Sequence, residues 1–350
     1  MSTEFLKSLI STSGLSGYET PVTGLIEEAW RPLTDELNLS ALGSLHGLKR
    51  GDGQEPRPSL MIAAHMDAIG LIVTKISGEF LHLTHIGGID IRVLPGQAVT
   101  IHGRSDLPGI IVQPPAHLLP EGAAEGAVGI NHLLVDLGLS AGQVSKKVKI
   151  GDLISFATEP IEMSGGVLVG HSLDNRASVA ALTLCLEELQ SRQHAWDIWA
   201  AATVQEELGH MGARTSAFQL RPDLAIAVDV TFAKGPGANN WETFELESGP
   251  TIGWGSVIHP FLYKEFKELA KKLEMPYGIE ILPGRSGTDG DDLQLVAEGI
   301  PTALISIPIR YMHSPIEMVA LKDIQRVGRL LAEFIAMLEP DFLKKIVWDD

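Results

Sequence analysis

Apolar, β-prone runs in this 350-residue chain repeatedly end on a side chain able to hold a proton or a metal ion. SLMIAA delivers His65, AAATVQ is followed by Glu206 and Glu207, and LAIAV ends at Asp229; Asp174 in HSLDNRAS and His313 in RYMHSPIEM complete the set. Strand ends are where an α/β sheet exposes polar side chains to a cleft, so this punctuation restricts the chain to few architectures. It suggests a hydrolase that works with two metal ions.

The remaining sequence divides into three stretches. Residues 4–31 read as an amphipathic helix, a turn at Gly14 to Gly17 and a second helix from about Thr20. From about 68 to 162 the texture changes to short β-like segments (AIGLIVTKI, EFLHLTHI, QAVTIHG, GIIVQ, HLLVDLG) broken by Gly and Pro, with Ala116 to Gly129 read as a mobile surface loop. After MSGGVLVG, helices and strands alternate: a helix from about Arg176 to Gln190, the strands WDIWAAATV and LAIAVDV, the helix FLYKEFKELAKKL, the strand TALISIP and a last helix from about Leu321 to Leu338. Such alternation predicts an α/β fold, a mostly parallel sheet sandwiched by helices. Residues 1–67 and 163–350 would form this domain, with 68–162 as a smaller inserted β-rich domain.

Charge narrows the partners. Lys and Arg total 27 against 44 Asp and Glu, a formal net charge of −17, which opposes binding to nucleic acid or an anionic membrane surface. The opening MSTEFLKSLISTSG lacks the basic start and apolar core of a signal peptide, and no segment reaches the roughly 18 uninterrupted apolar residues of a membrane span. The single cysteine, Cys185, cannot form an internal disulfide, which fits a reducing compartment. A cytoplasmic protein is expected.

Imidazole and carboxylate donors suit zinc, cobalt or manganese, and a catalytic ion keeps one position open for water. A lone His or Asp at a strand end is more often a structural hydrogen bonder, so the weight lies on the joint pattern. Asp67, two residues beyond His65, is placed to fix the imidazole's tautomer. Glu206 and Glu207 are adjacent acids that repel unless cations or a shared proton compensate.

In their order along the chain, AHMDAIG, SLDNR, QEELG, VDV and YMHSP resemble the M42 family of metallo-aminopeptidases, the glutamyl and deblocking group that includes tetrahedral aminopeptidases. The resemblance spans nearly the whole chain, including IGGIDIRVLPGQAVTIHG, KIGDLISF and SGTDGDDLQLVAEGIPTALISIPIRYMHSPIE. It implies two divalent ions per subunit: His65 and Asp229 on one, Glu207 and His313 on the other, Asp174 bridging both. Glu206 matches the family's general base, Asp67 the aspartate behind the histidine ligand, and the bond from Asp174 to Asn175 would be cis. The resemblance also implies short peptides as substrates and a homo-oligomer, commonly a tetrahedral dodecamer, with the inserted domain serving assembly or dimerisation.

Two other functions compete with this one. Some members carry an endoglucanase label, which raises glycoside hydrolysis; a non-catalytic peptide-binding shell is the other. Adjacent acids do not readily flank a scissile glycosidic bond, and a binding shell would have lost ligands or base. The chain departs from the family pattern where Asp289 is followed by Gly290, Asp291 and Asp292, adding acidic charge near the expected cleft. His171 is expected to be structural or on the surface, and His210 structural.

Overall fold

The computed structural model describes residues 3–120 and 126–348; part of the loop expected at Ala116 to Gly129 therefore lies outside the described residues. Two helices, α1 (Thr3–Ser11) and α2 (Thr20–Trp30), precede a hairpin of β1 (Glu36–Leu39) and β2 (Leu45–Lys49) and then β3 (Ser59–His65). Next come β4 (Gly70–Ser77), β5 (Phe80–Ile86), β6 (Ala98–His102), β7 (Asp106–Val112), β8 (Leu134–Asp136), α3 (Ala141–Lys147) and β9 (Leu153–Phe156). The chain continues through β10 (Ile161–Met163), β11 (Val167–Gly170), α4 (Leu173–Leu189), β12 (Asp197–Thr203), α5 (Met211–Leu220) and β13 (Leu224–Phe232). It ends with β14 (Thr251–Gly255), α6 (Pro260–Lys272), β15 (Gly278–Leu282), α7 (Gly290–Leu293), β16 (Thr302–Arg310), β17 (Glu317–Ala320) and α8 (Leu321–Met337).

The main sheet runs β1-β2-β12-β3-β13-β16-β17-β11-β10, with β14 and β15 branching from β16. Its centre, β12-β3-β13-β16, is parallel, as the alternation of helices and strands predicts. Buried on both faces, these strands read as nearly continuous apolar runs; in β13 every residue but Phe232 is buried. Antiparallel strands flank the centre on both sides. The six strands β4-β5-β8-β7-β6-β9 close a separate barrel around Leu71, Leu81, Ile101, Val135 and Ile154. Closure leaves the barrel without exposed edges.

Helix α4 is buried almost all round, so it shows little amphipathicity, as expected of a helix enclosed by its neighbours. It lies between the sheet and α8, and the close approach of the two helices depends on Gly328. A Cβ there would lie 2.7 Å from Leu184 Cβ and 2.8 Å from the Ala181 carbonyl oxygen. Helix propensity favours alanine over glycine by about 1 kcal/mol, and overpacking costs about 1–3 kcal/mol. Gly328→Ala is therefore expected to lower the melting temperature in calorimetry. A raised value would show that α8 shifts freely on α4.

Candidate active site

The sheet order explains how residues far apart in sequence meet. Thr203 at the end of β12 is in register with His65 at the end of β3, so the turn that follows carries Glu206 and Glu207 alongside the imidazole. Strand β13 pairs with β3 as far as Ala227 opposite Ala63, and two residues further along each strand lie Asp229 and His65. Asp174 enters from the start of α4, where its bond to Asn175 is cis as expected. His313 comes from the turn between β16 and β17, with a left-handed φ of 60°.

All seven residues singled out in the sequence come together. His65 Nε2 lies 3.1 Å from Asp174 Oδ1 and 3.8 Å from Asp229 Oδ1. His313 Nε2 lies 3.4 Å from Asp174 Oδ2 and 3.6 Å from Glu207 Oε2. The two oxygens of Asp174 thus face two different imidazoles. Donor atoms of Asp174, Glu207 and His313 lie within 4.8 Å of one another, as do those of His65, Glu206 and Asp229. These are nitrogen and oxygen donors with no thiol among them, a set that fits borderline or hard dications.

Asp67 organises both sides of this cluster. Its fully buried carboxylate accepts hydrogen bonds from the backbone N–H groups of Glu206 (3.0 Å) and Glu207 (3.2 Å) and from Ser16 Oγ (2.6 Å). It also lies 3.4 Å from His65 Nδ1, leaving Nε2 to face the cavity. Glu317, four residues after His313, does the same for the other side: it accepts from the N–H of Asp174 (3.0 Å) and of His313 (2.9 Å). Glu317 was not anticipated, although its place in the YMHSPIE run was a usable signal.

His210 corrects the sequence reading. It lines the cavity and its Nε2 is 3.2 Å from Glu206 Oε1, while Glu206 Oε2 points toward His65 at 3.7 Å. His171 is structural, buried with its ring edge-on to Phe156 of the barrel at 4.9 Å; burial and the nearby Arg176 charge push its pKa down to about 3. The expected acidic charge at 289–292 is partly turned inward, although Asp289 and Asp292 reinforce Glu206 in raising the pKa of His210. Asp289 is buried and accepts from Thr203 Oγ1. Asp291 is buried too, accepting the N–H groups of Ser286 (2.7 Å) and Gly287 (2.9 Å), so it shapes a loop instead of projecting charge.

The cavity over the cluster holds about 430 Å³ and is lined from the main sheet, from its loops and from Gly88, just past the barrel strand β5. A Cβ on Gly88 would sit 3.1 Å from His313 Nδ1, so the barrel approaches the site closely. Electrostatics in the cavity are strained by burial. Burial pushes the carboxyls of Glu207 and Asp229 well above their usual range, and the negative charge of Asp174 adds to it. Burial disfavours charge on His65, yet Glu206, Asp174 and Asp67 outweigh it and raise its pKa well above the ordinary value. Asp174 moves the other way: burial opposes its charge, but His313 and His65 pull its pKa down.

An α/β sheet that gathers His and carboxylate donors over such a cavity is the framework of a hydrolytic enzyme. A model of the M42 glutamyl aminopeptidase family matches residues 43–330. The chain is 33% identical over 343 residues to the lysyl aminopeptidase of Pyrococcus furiosus, covering 96% of this chain and 97% of that one. Among solved structures, the TET aminopeptidase of a marine-sediment thaumarchaeon superposes with a TM-score of 0.92 at 29% identity, covering 98% of both chains. The TET1 peptidase of Pyrococcus horikoshii, which can assemble into a tetrahedron or a large octahedral shell, gives a TM-score of 0.82 at 28% identity over 96% of this chain and 99% of that one. The chain belongs to the M42 family and is a peptide hydrolase, an aminopeptidase.

The raised pKa values have a measurable consequence. Glu207 and Asp229 retain protons at pH values where exposed carboxyls have lost theirs, and a dication must displace those protons. Titrating the chelator-stripped protein with zinc at neutral pH, in buffers of different ionisation enthalpy, should show net proton release. Zero release would mean that the donors do not receive the ion.

Proposed function

We propose that this chain is a two-metal aminopeptidase that removes single residues from the N-termini of short peptides. His65 and Asp229 would hold one ion and Glu207 and His313 the other, with Asp174 shared. The observation that carries this reading is the carboxylate of Asp174, whose oxygens lie 3.1 Å and 3.4 Å from the two imidazoles. Zinc, cobalt and manganese all suit these donors. When bound, such ions supply electrophilic activation of water and of the peptide carbonyl.

The remaining work falls to the chain. Distance alone would also group Glu206 with His65 and Asp229. Its Oε1, however, is engaged by His210 at 3.2 Å, and its backbone N–H is tied to Asp67. These contacts aim one carboxylate oxygen into the cavity, where it accepts the proton of the attacking water and passes it to the leaving amine. Asp67 holds His65 in the tautomer that presents Nε2, and Glu317 holds the backbones of Asp174 and His313. The free α-amine of the substrate, positioned among the carboxylates, limits cleavage to one residue from the end.

Glycoside hydrolysis is less well supported, because Glu206 and Glu207 leave one turn toward different histidines and would leave both imidazoles without a role. A non-catalytic shell is less well supported because all five proposed ligands and Glu206 share one cavity. Assembly is proposed by analogy with the TET1 peptidase. Exposed Ile110, Leu118 and Ile150 on and beside the barrel are consistent with the barrel as the assembly unit. Among the described residues no helix is long and apolar enough to cross a membrane.

Elemental analysis beside turnover on unblocked peptide anilides and soluble cellulose tests the residue roles. Glu206→Gln should keep both ions and lose about 100-fold or more in kcat, the usual scale of a general base. Asp174→Ala should lose both ions together. A fully active, metal-loaded Glu206→Gln protein would remove the base, and an Asp174→Ala protein retaining two ions would remove the bridge. Light scattering of the wild type should give a mass several times the 37.7 kDa of one chain; a monomer would end the shell reading.

A further inference from the structure

One carboxylate in the cavity has no part in the chemistry above. Glu280, on β15, lines the same cavity as the proposed ligands. Its Oε1 accepts from Thr231 Oγ1 at 2.7 Å, and its Oε2 accepts from Thr251 Oγ1 at 2.9 Å and Ser306 Oγ at 2.8 Å. Sheet register fixes where this lies. Asp229 of β13 is paired with Ser306 of β16, and Ser306 with Thr251 of β14. Paired residues project from the same face of a sheet, with strands about 4.8 Å apart. A row of side chains therefore leads from the proposed ligand Asp229 across two strands to the carboxylate of Glu280.

We propose that Glu280 selects peptides whose N-terminal residue carries a cationic side chain, lysine or arginine. This rests on the aminopeptidase reading. With the α-amine held among the catalytic carboxylates, a first side chain directed along this row would meet the Glu280 carboxylate, which also accepts from Thr231, two residues beyond Asp229 on the same strand. Phe232 and Met312 also line the cavity and are of a kind that suits an aliphatic stem.

Charge balance points the same way. Glu280 stands outside the four carboxylates, Asp174, Glu206, Glu207 and Asp229, that two dications would balance. Among the described residues lining the cavity there is no Lys or Arg to neutralise it. Its partners are three hydroxyls, which support a carboxylate without cancelling its charge. Burial accordingly raises its pKa, with the three hydroxyl donors acting against the shift. A substrate ammonium would supply the missing counter-charge, whereas an acidic first residue would meet repulsion.

The test compares the zinc-loaded wild type with Glu280→Gln on dipeptides beginning with lysine, norleucine or glutamate, and on the reversed pair Lys-Leu and Leu-Lys. Norleucine keeps most of the stem and lacks the charge. The wild type should favour lysine over norleucine in kcat/KM by about tenfold or more, and Glu280→Gln should erase that ratio while norleucine turnover stays within a few-fold. Calorimetry with lysinamide and norleucinamide gives the same comparison without turnover. It separates a failure of this inference from a failure of the aminopeptidase reading. Equal handling of lysine and norleucine by the wild type, a preference for glutamate, or a preference for lysine at the second position would each overturn the proposal, whether or not the variant folds.

Discussion

Buried negative charge is the constraint on which this structure turns. Asp174, Glu206, Glu207 and Asp229 converge on two imidazoles at the edge of an apolar sheet, where like charges repel and water is scarce. The strong upward shifts of Glu207 and Asp229 register burial first and that repulsion second. Cations at the cluster would relieve it, and a second layer of contacts fixes the segments that carry the donors. Asp67 and Glu317 each accept two backbone N–H groups from the segments that carry the proposed ligands and base.

Behind that layer lies Arg176. Its fully buried guanidinium donates to the carbonyl oxygens of Leu9, Thr12, Gly14 and Met66; burial lowers its pKa to about 10, against the favourable charges of Asp67 and Glu317. It ties the loop after α1 to the first turns of α4. Gly14 has no room for a side chain because a Cβ would lie 2.6 Å from Arg176 Nη2. The barrel is joined to the same framework at His171, packed on Phe156, and at Gly88, close to His313. The site is therefore built between the end of the sheet and a loop of the barrel.

Much of this was legible in the chain. Apolar runs of β3, β12 and β13 are long enough, and free enough of charge, to announce buried parallel strands, and their polar ends announce the cleft. The antiparallel borders were harder to read. Strands β14 and β15 are only five residues each, too short to separate from loop, and Glu280 drew no attention in the sequence. His210 was set aside because its role follows from a four-residue turn that brings it back onto Glu206, which spacing alone does not disclose. Asp291 looked like cleft charge because sequence cannot show that Ser286 and Gly287 donate to it.

The kinds of donor atom, the strands that deliver them and the family to which the chain belongs are written in the residues, because apolar patterning and residue chemistry are local properties. Which oxygens face which nitrogens follows from the packed fold. Asp174 and His313 are separated by more than a hundred residues, and their meeting depends on the order in which β11, β17 and β16 line up in the sheet. The same cross-strand register lines Asp229 up with Ser306 and Thr251, whose hydroxyls donate to Glu280. Pairing between distant strands is a property of the packed sheet, where most buried polar groups find a partner.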